Sequence, residues 1–324
     1  MIDRRTVLGL LAGATTSDLL LSQAQAQAWP AGGVKVLVPF AAGGNTDTIA
    51  RLVSQALTDK LGQPFTVENR PGANGALACD AVARAEPNGL TMLVASVSQI
   101  AVLGSLTKVN YDSLRDFAPI TNIGYNPLVF AVSAKLPVKN LKEFVAYVKG
   151  SAKTQPYASG GAGSIGHLAT LLWLKRAGLE MDHVPYRGGG PAIADLIAGH
   201  VPAYFANLSE GMQFAKSDAI RLLAISDTKR SPLLPDVPTM TEAGFDGFRV
   251  ITWNGLLTRA GTAPDIIART NAVVKEAIAD PSIRSKLDAI GVTPLGDTPA
   301  EFAKTIAADS AQWDAVIKQA GITL

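Results

Sequence analysis

The sequence is short of reactive and ligating groups. Cys79 is the single cysteine, so no intramolecular disulfide can form. In ALACDAVARA it has apolar neighbours at helical spacing, which predicts a small core residue rather than a nucleophile. The three histidines, His167, His183 and His200, occur without an H-E-x-x-H motif or a cysteine pair, so no metal site is expected. No G-x-S-x-G elbow is present, and Ser164 lies in G-S-I-G instead. Beyond residue 28 no apolar run approaches the ~18 residues of a membrane-spanning helix. With 29 Lys and Arg against 27 Asp and Glu, the near-neutral net charge of +2 argues against a nucleic-acid partner.

What is present is a globular chain of 324 residues, 48% hydrophobic and 17% charged, long enough for two α/β domains. Residues 1–28 read differently from the rest. Arg4 and Arg5 precede the apolar run Val7 to Ala12, and a small polar stretch ends in Ala24 to Ala28. That order is the layout of an export signal cleaved after Ala26 or Ala28, which predicts a periplasmic mature protein. The arginine pair leaves both the general and the twin-arginine export routes open.

Short β-branched runs alternate with amphipathic segments along the remainder. Val34 to Phe40, Phe65 to Glu68 and Leu90 to Ala95 read as strands, with helices from Asn45 and over Gly75 to Ala85 between them. A second series follows residue 125, with strands at 128–132, 156–158, 183–186, 203–205 and 221–225, and helices at 140–149, 166–177 and 191–198. Helices over 264–279, 282–290 and 299–318 complete the chain. The alternation predicts an α/β fold with a mostly parallel sheet in each of two lobes and a ligand cleft between them. The expected division is 29–124 plus 252–324 for lobe 1 and 125–251 for lobe 2, with hinges at Ile120 to Tyr125 and Phe248 to Trp253.

Three glycine loops stand out. YASGGAGSIGH, residues 157–167, holds Gly161, Gly163 and Gly166 as G-x-G-x-x-G between a strand and a helix, the local setting of a dinucleotide site. The acidic residue that such a site needs after the next strand is missing, because that strand ends in Tyr186-Arg187-Gly188. Arg187 in that place leaves an NADP-dependent reductase open as an alternative. The loop is not alone, since Phe40-Ala41-Ala42-Gly43-Gly44 and Arg187 to Gly190 also join a strand to a helix. Each such loop offers free backbone N–H groups and a positive helix end, so loops on opposite walls of one cleft can hold a small anion without a cationic side chain. Asn45, Thr46 and Asp47 are suited to cap the first helix. His167, one turn into its helix, is placed either to touch a ligand or to be buried and hydrogen-bonded.

PFAAGGNTDTIAR (39–51), VENRPGANG (67–75), HVPYRGGGPAIADLIAGHV (183–201), KRSPLLPDVPTMTEAGF (229–245) and WNGLLTRAGTAP (253–264) resemble, in order, the Bug or TctC-like solute-binding receptors of tripartite tricarboxylate transporters. The resemblance implies a periplasmic flytrap that closes on a small organic acid and delivers it to transmembrane permease subunits. A monomer with no catalysis and no cofactor is expected; a sensor feeding a signalling protein is the alternative partner. It implies further that the loop from Phe40 to Asp47 grips the proximal carboxylate through backbone amides and bridging waters. The facing wall would be Ser159, Gly160, Gly161, Ser164 and His167 with Tyr186, Arg187 and Gly188, and Ser96 and Ser98 would form a third loop. Where amino-acid-binding members carry an acid, this chain has Ala206 followed by Asn207. That departure predicts a ligand without a buried amine, namely a di- or tricarboxylate or an aromatic acid.

Overall fold

A computed structural model describes residues 29–214 and 217–322; the expected leader, 1–28, lies outside the described residues. The fold is two-lobed α/β. In the first sheet β1 (Val34–Val38) is central, flanked by parallel β2 (Phe65–Asn69) and β3 (Thr91–Ser96). Val34, Val36, Leu37 and Val38 of β1 are buried, as a strand covered by helices on both faces requires. Between β1 and β2, α1 (Asn45–Leu61) buries Ile49, Ala50, Val53 and Leu57 on one stripe and stops at Gly62, whose φ of 71° is the left-handed helix end that favours glycine. The short α2 (Ala76–Ala83) leads to β3, and α3 (Leu103–Leu106) follows it.

The long β4 (Phe117–Ser133) belongs to both sheets. Up to Pro127 it pairs antiparallel with β9 (Ile251–Arg259), which in turn pairs with β3. From Leu128 it pairs with β7 (Ala203–Asn207), and from Val129 with β8 (Ile220–Ile225) on its other side. The second sheet is completed by β5 (Gln155–Ser159), which lies parallel to β7 and to β6 (Met181–Pro185). Its helices are α4 (Leu141–Gly150), α5 (Ile165–Ala177), α6 (Gly189–Ala198) and α7 (Leu208–Met212). The chain then returns through β9 to α8 (Pro264–Ala279), α9 (Pro281–Ala289), the two-residue β10 (Thr293–Pro294) on β4, and α10 (Pro299–Ala320). The last helix opens with a capping box, Thr298 with Glu301, and Pro299 in its first turn.

Ser226 ties the crossing segments together. Its hydroxyl is buried and bonds the carbonyls of Leu128 and Val250, at 3.1 and 2.5 Å, and it accepts from the Leu128 N–H at 2.8 Å. Ile120 to Tyr125 lies within paired β4, whose register shifts fall at Pro119/Thr121 and Asn122/Gly124. Trp253 is buried against α10, edge-on to Phe302 and donating to Asp309 at 2.6 Å.

Candidate functional site

The C-terminal ends of β1, β3, β5, β6 and β7 converge where the two sheets meet, the end at which open α/β sheets bind ligands. Four helices begin there: α1, α5, α6 and α7. They surround a cleft with about 440 Å³ of atom-free space, its mouth included. Hydroxyls of Thr46, Ser96, Ser98, Ser164 and Thr252, the apolar faces of Phe40, Ile165 and Phe205, and glycine backbone make up most of its wall. The lining contains no lysine, arginine or histidine; its one carboxylate is Glu210.

The two walls are joined by hydrogen bonds. Gly44, which precedes α1, has no side chain to cap the helix, and the N–H of Asn45 donates instead to Glu210 Oε1 from across the cleft at 3.2 Å. Ser209 donates to Asn45 Oδ1 at 2.5 Å, and the Ala41 N–H donates to the Arg187 carbonyl at 2.8 Å. In the opposite direction Ser98 Oγ accepts from the Ile165 N–H at 2.9 Å and so caps α5. The glycines of 188–190 permit this approach, since a Cβ on Gly190 would lie 2.9 Å from the Ala42 carbonyl oxygen. First-turn amides have no intrahelical partner, so helix ends are donor sets for an anion, and at α1 that anion is Glu210 itself.

Glu210 is 3% exposed. It is the third residue of α7 and forms a capping box with Asn207. Its Oε2 accepts from the Tyr204 hydroxyl at 2.8 Å and the Asn207 N–H at 3.1 Å, while Oε1 accepts from Asn207 Nδ2 at 3.1 Å and from Asn45. Burial and the adjacent carboxylate push the Tyr204 phenol well above its ordinary value, so it stays a donor. Ala206 is indeed neutral, yet the next turn brings a carboxylate into the same wall. The sequence signal was N-L-S-E, a capping-box spacing directly after a strand that ends at the cleft.

Of the residues expected at the site, Phe40, Gly44, Asn45, Thr46, Ser96, Ser98, Gly160, Ser164 and Asn207 line this cleft. Ala41, Ala42 and Gly43 form the loop that abuts Gly188 and Gly190. Asp47 is buried but turned away. Burial alone would raise its carboxyl, yet Arg51, the Gly43 N–H and Asn69 hold it below the ordinary carboxylate range, and the bonds fix the loop. Gly161, Tyr186 and Arg187 line an outer groove with Asn74 and Lys108, where the Tyr186 hydroxyl donates to Asp195 at 2.6 Å. Ile165, Gly166 and Gly189 also line the cleft, within stretches the sequence reading placed at the site, and the residues it missed are Tyr204, Phe205, Glu210 and Thr252. Gly166 belongs to the glycine triplet, and a Cβ there would lie 2.5 Å from the Phe205 carbonyl oxygen, so helix-on-strand packing also calls for glycine at this position.

Ser159 and His167 stand behind the wall rather than in it. His167 Nδ1 accepts from the Gly163 N–H at 3.0 Å, which places its proton on Nε2. The ring stacks on His183 at 3.8 Å, and His183 Nε2 meets Ser159 Oγ at 2.6 Å. Burial, with His183 as neighbour, pushes His167 down to about 3, and burial pushes His183 down to about 4. Both rings are neutral supports of the 160–164 loop at neutral pH.

The sequence profile of the "tripartite tricarboxylate transporter family receptor" matches residues 49–322. The chain belongs to this family. BugT of Bordetella pertussis is 34% identical over 301 residues, 92% of each chain. Two solved structures superpose with a TM-score of 0.88, each covering 91% of this chain and 99% of its own. One is R. palustris Rpa4515 with adipate, 33% identical, and the other is the periplasmic binding protein BugD, 30% identical. Among the described residues no helix is long and apolar enough to cross a membrane.

Proposed function

We propose that this protein is a periplasmic receptor that captures a small organic carboxylate between its lobes and presents it to the permease subunits of a tripartite tricarboxylate transporter. The observation that carries the reading is the convergence of helix N-termini and five serine and threonine hydroxyls on a cleft whose lining has no cationic side chain; Glu210 fills the ends of α1 and α7, which leaves those of α5 and α6 for a ligand. Helix ends and neutral donors bind an anion without the need to bury a cation in the cleft. A relative at 33% identity holds adipate, a molecule of this chemical class.

The lobe division expected from sequence, 29–124 with 252–324 against 125–251, has support in the passage of β4 from one sheet to the other at Pro127/Leu128 and in the start of β9 at Ile251. Closure follows as a population shift: a ligand that touches both walls favours the closed arrangement by its differential contacts, and that arrangement is what a permease would recognise. The backbone bond from Ala41 to Arg187 joins the two walls without occupying the cleft, so it can form together with ligand capture.

A thermal-shift screen of the mature protein against organic carboxylates, with NADP and NAD on the same plate, tests the reading. Ligand at 100 times its dissociation constant adds about 2.7 kcal/mol to folding stability. Stabilisation by a carboxylate and by neither nucleotide is expected. Stabilisation by NADP alone would overturn the receptor reading in favour of a reductase.

A further inference from the structure

Glu210 is the feature of the cleft that carboxylate capture does not account for. An anionic side chain, 3% exposed, lines a site otherwise built of neutral donors. Three of its four hydrogen bonds come from its own lobe: the Tyr204 hydroxyl, the Asn207 N–H and Asn207 Nδ2, at 2.8 to 3.1 Å. These hold the carboxylate in place whether the lobes are open or closed. The fourth comes from the opposite wall, the Asn45 N–H, and at 3.2 Å it is the longest. A carboxylate has about four acceptor positions and all four are filled here, but the fourth is filled only from across the cleft and is the one a ligand donor can take over. In the closed arrangement a neutral backbone N–H fills that position, which shows what kind of group fits: an amide, hydroxyl or ammonium, and not a second carboxylate. Gly189 fixes the fit from a third side, because a Cβ there would overlap the Glu210 carboxylate.

We propose that Glu210 determines specificity, selecting organic acids whose far end carries a hydrogen-bond donor and rejecting simple dicarboxylates. The ligand's own carboxylate sits on the neutral donors of the other walls, at Ser98, Ser164 and the start of α5. Its far end replaces the Asn45 N–H on Glu210. A dicarboxylate would bring two more negative charges to a lining that already has one and offers no cation. This assignment rests on the carboxylate-receptor reading.

Matched probes that differ only at one end separate the two: adipate, its monoamide adipamate, 6-hydroxyhexanoate and 6-aminohexanoate, with succinate and succinamate as a shorter pair. Calorimetric titration of the wild-type mature protein is expected to favour a donor-ended acid over its dicarboxylate by about tenfold or more, the scale of a like-charge clash. In Glu210→Gln that preference is expected to shrink to about threefold or to reverse, because the amide offers a neutral donor in place of the charge. Equal or tighter wild-type binding of the dicarboxylates overturns the proposal, as does a preference that Glu210→Gln leaves unchanged, which would make Glu210 only the cap of α7. Those results leave the receptor reading standing. If neither wild type nor variant binds any carboxylate while NADP binds, both fall. Should Glu210→Gln fail to fold, the wild-type ratio within each matched pair decides alone.

Discussion

The helix ends that face each other across the cleft, those of α1 and α5, are each capped from the opposite wall, but by different chemistry. At α5 the cap is neutral and partly redundant, since Ser164 accepts from the His167 N–H while Ser98 takes the Ile165 N–H. At α1 the cap is a charge: Gly44 brings no side chain, and Glu210 supplies its carboxylate to Asn45. A negative group at a helix N-terminus is favourable by about 0.3–1 kcal/mol, and up to about 2 when partly buried. The neutral end can exchange its partner for a ligand anion with no charge left unpaired. The charged end already holds an anion, so a ligand meets it with a donor. Two similar βα turns thus divide the work of recognition according to which residue crosses the gap.

The comparison breaks most completely at Gly189. Because a Cβ there would overlap the Glu210 carboxylate, Gly189→Ala forces either the carboxylate out of the cleft or α6 away from it. Overpacking of this kind costs about 1–3 kcal/mol, and the charged end of the cleft is lost with it. Urea unfolding should report the stability loss, and calorimetry should show ligand binding abolished. Unchanged binding would mean that Glu210 does not shape the site.

Ser98→Ala tests the neutral end and should do less. It removes the Ser98 hydroxyl as a donor to the ligand's carboxylate, along with the acceptor of the Ile165 N–H, but leaves Ser164 in place. A single neutral hydrogen bond is worth about 0.5–1.5 kcal/mol, so affinity should weaken by about two- to twelvefold with little change in the unfolding of the free protein. A loss as large as that at Gly189 would show that the two ends are not divided in this way.

The contrast also marks what the sequence made legible. Strand and helix alternation is a local property, and the order of elements around β1, β5 and the three glycine loops follows from it. Helix starts read at Asn45, Gly166 and Pro191 fall within two residues of the observed starts at Asn45, Ile165 and Gly189, because caps and glycines act within one turn. The length of β4 was not legible. Ile120 to Tyr125 reads as an extended link, and only the distant β9 turns it into a strand shared by two sheets. Glu210 was hidden for a similar reason: its capping-box spacing predicts a helix start, but nothing local says that this start faces α1 across a cleft. His167 was legible as a residue near the site and illegible in its role, which depends on a stack with His183 from the neighbouring strand.

That stack gives the next effect in size. Both histidines are held neutral, His167 at about 3 and His183 at about 4, against an ordinary value near 6.5 in the unfolded chain. The unfolded chain binds these protons first, so their contribution is complete above about pH 6.5 and declines as pH falls towards the folded values. Urea midpoints should therefore drop between pH 7 and pH 5, before most carboxylates titrate, and His183→Gln should flatten that slope. A wild-type midpoint that is level from pH 7 to pH 5 would refute the burial of this pair behind the α5 wall.

The smallest effect is expected at Cys79, in the lobe that carries α1. The thiol is fully buried between α2 and its sheet, and burial pushes it up to about 12, so almost no thiolate exists at pH 8. A thiol reagent should label it only through unfolding, at a rate that ligand slows in proportion to the stabilisation it brings. Because Cys79 lies within α2 and labels only through unfolding, Ser98→Ala should leave the labelling rate of the free protein almost unchanged while Gly189→Ala raises it. If Ser98→Ala raises it as much, the neutral cap stabilises the fold itself, and the division between a structural charged end and an exchangeable neutral end does not hold.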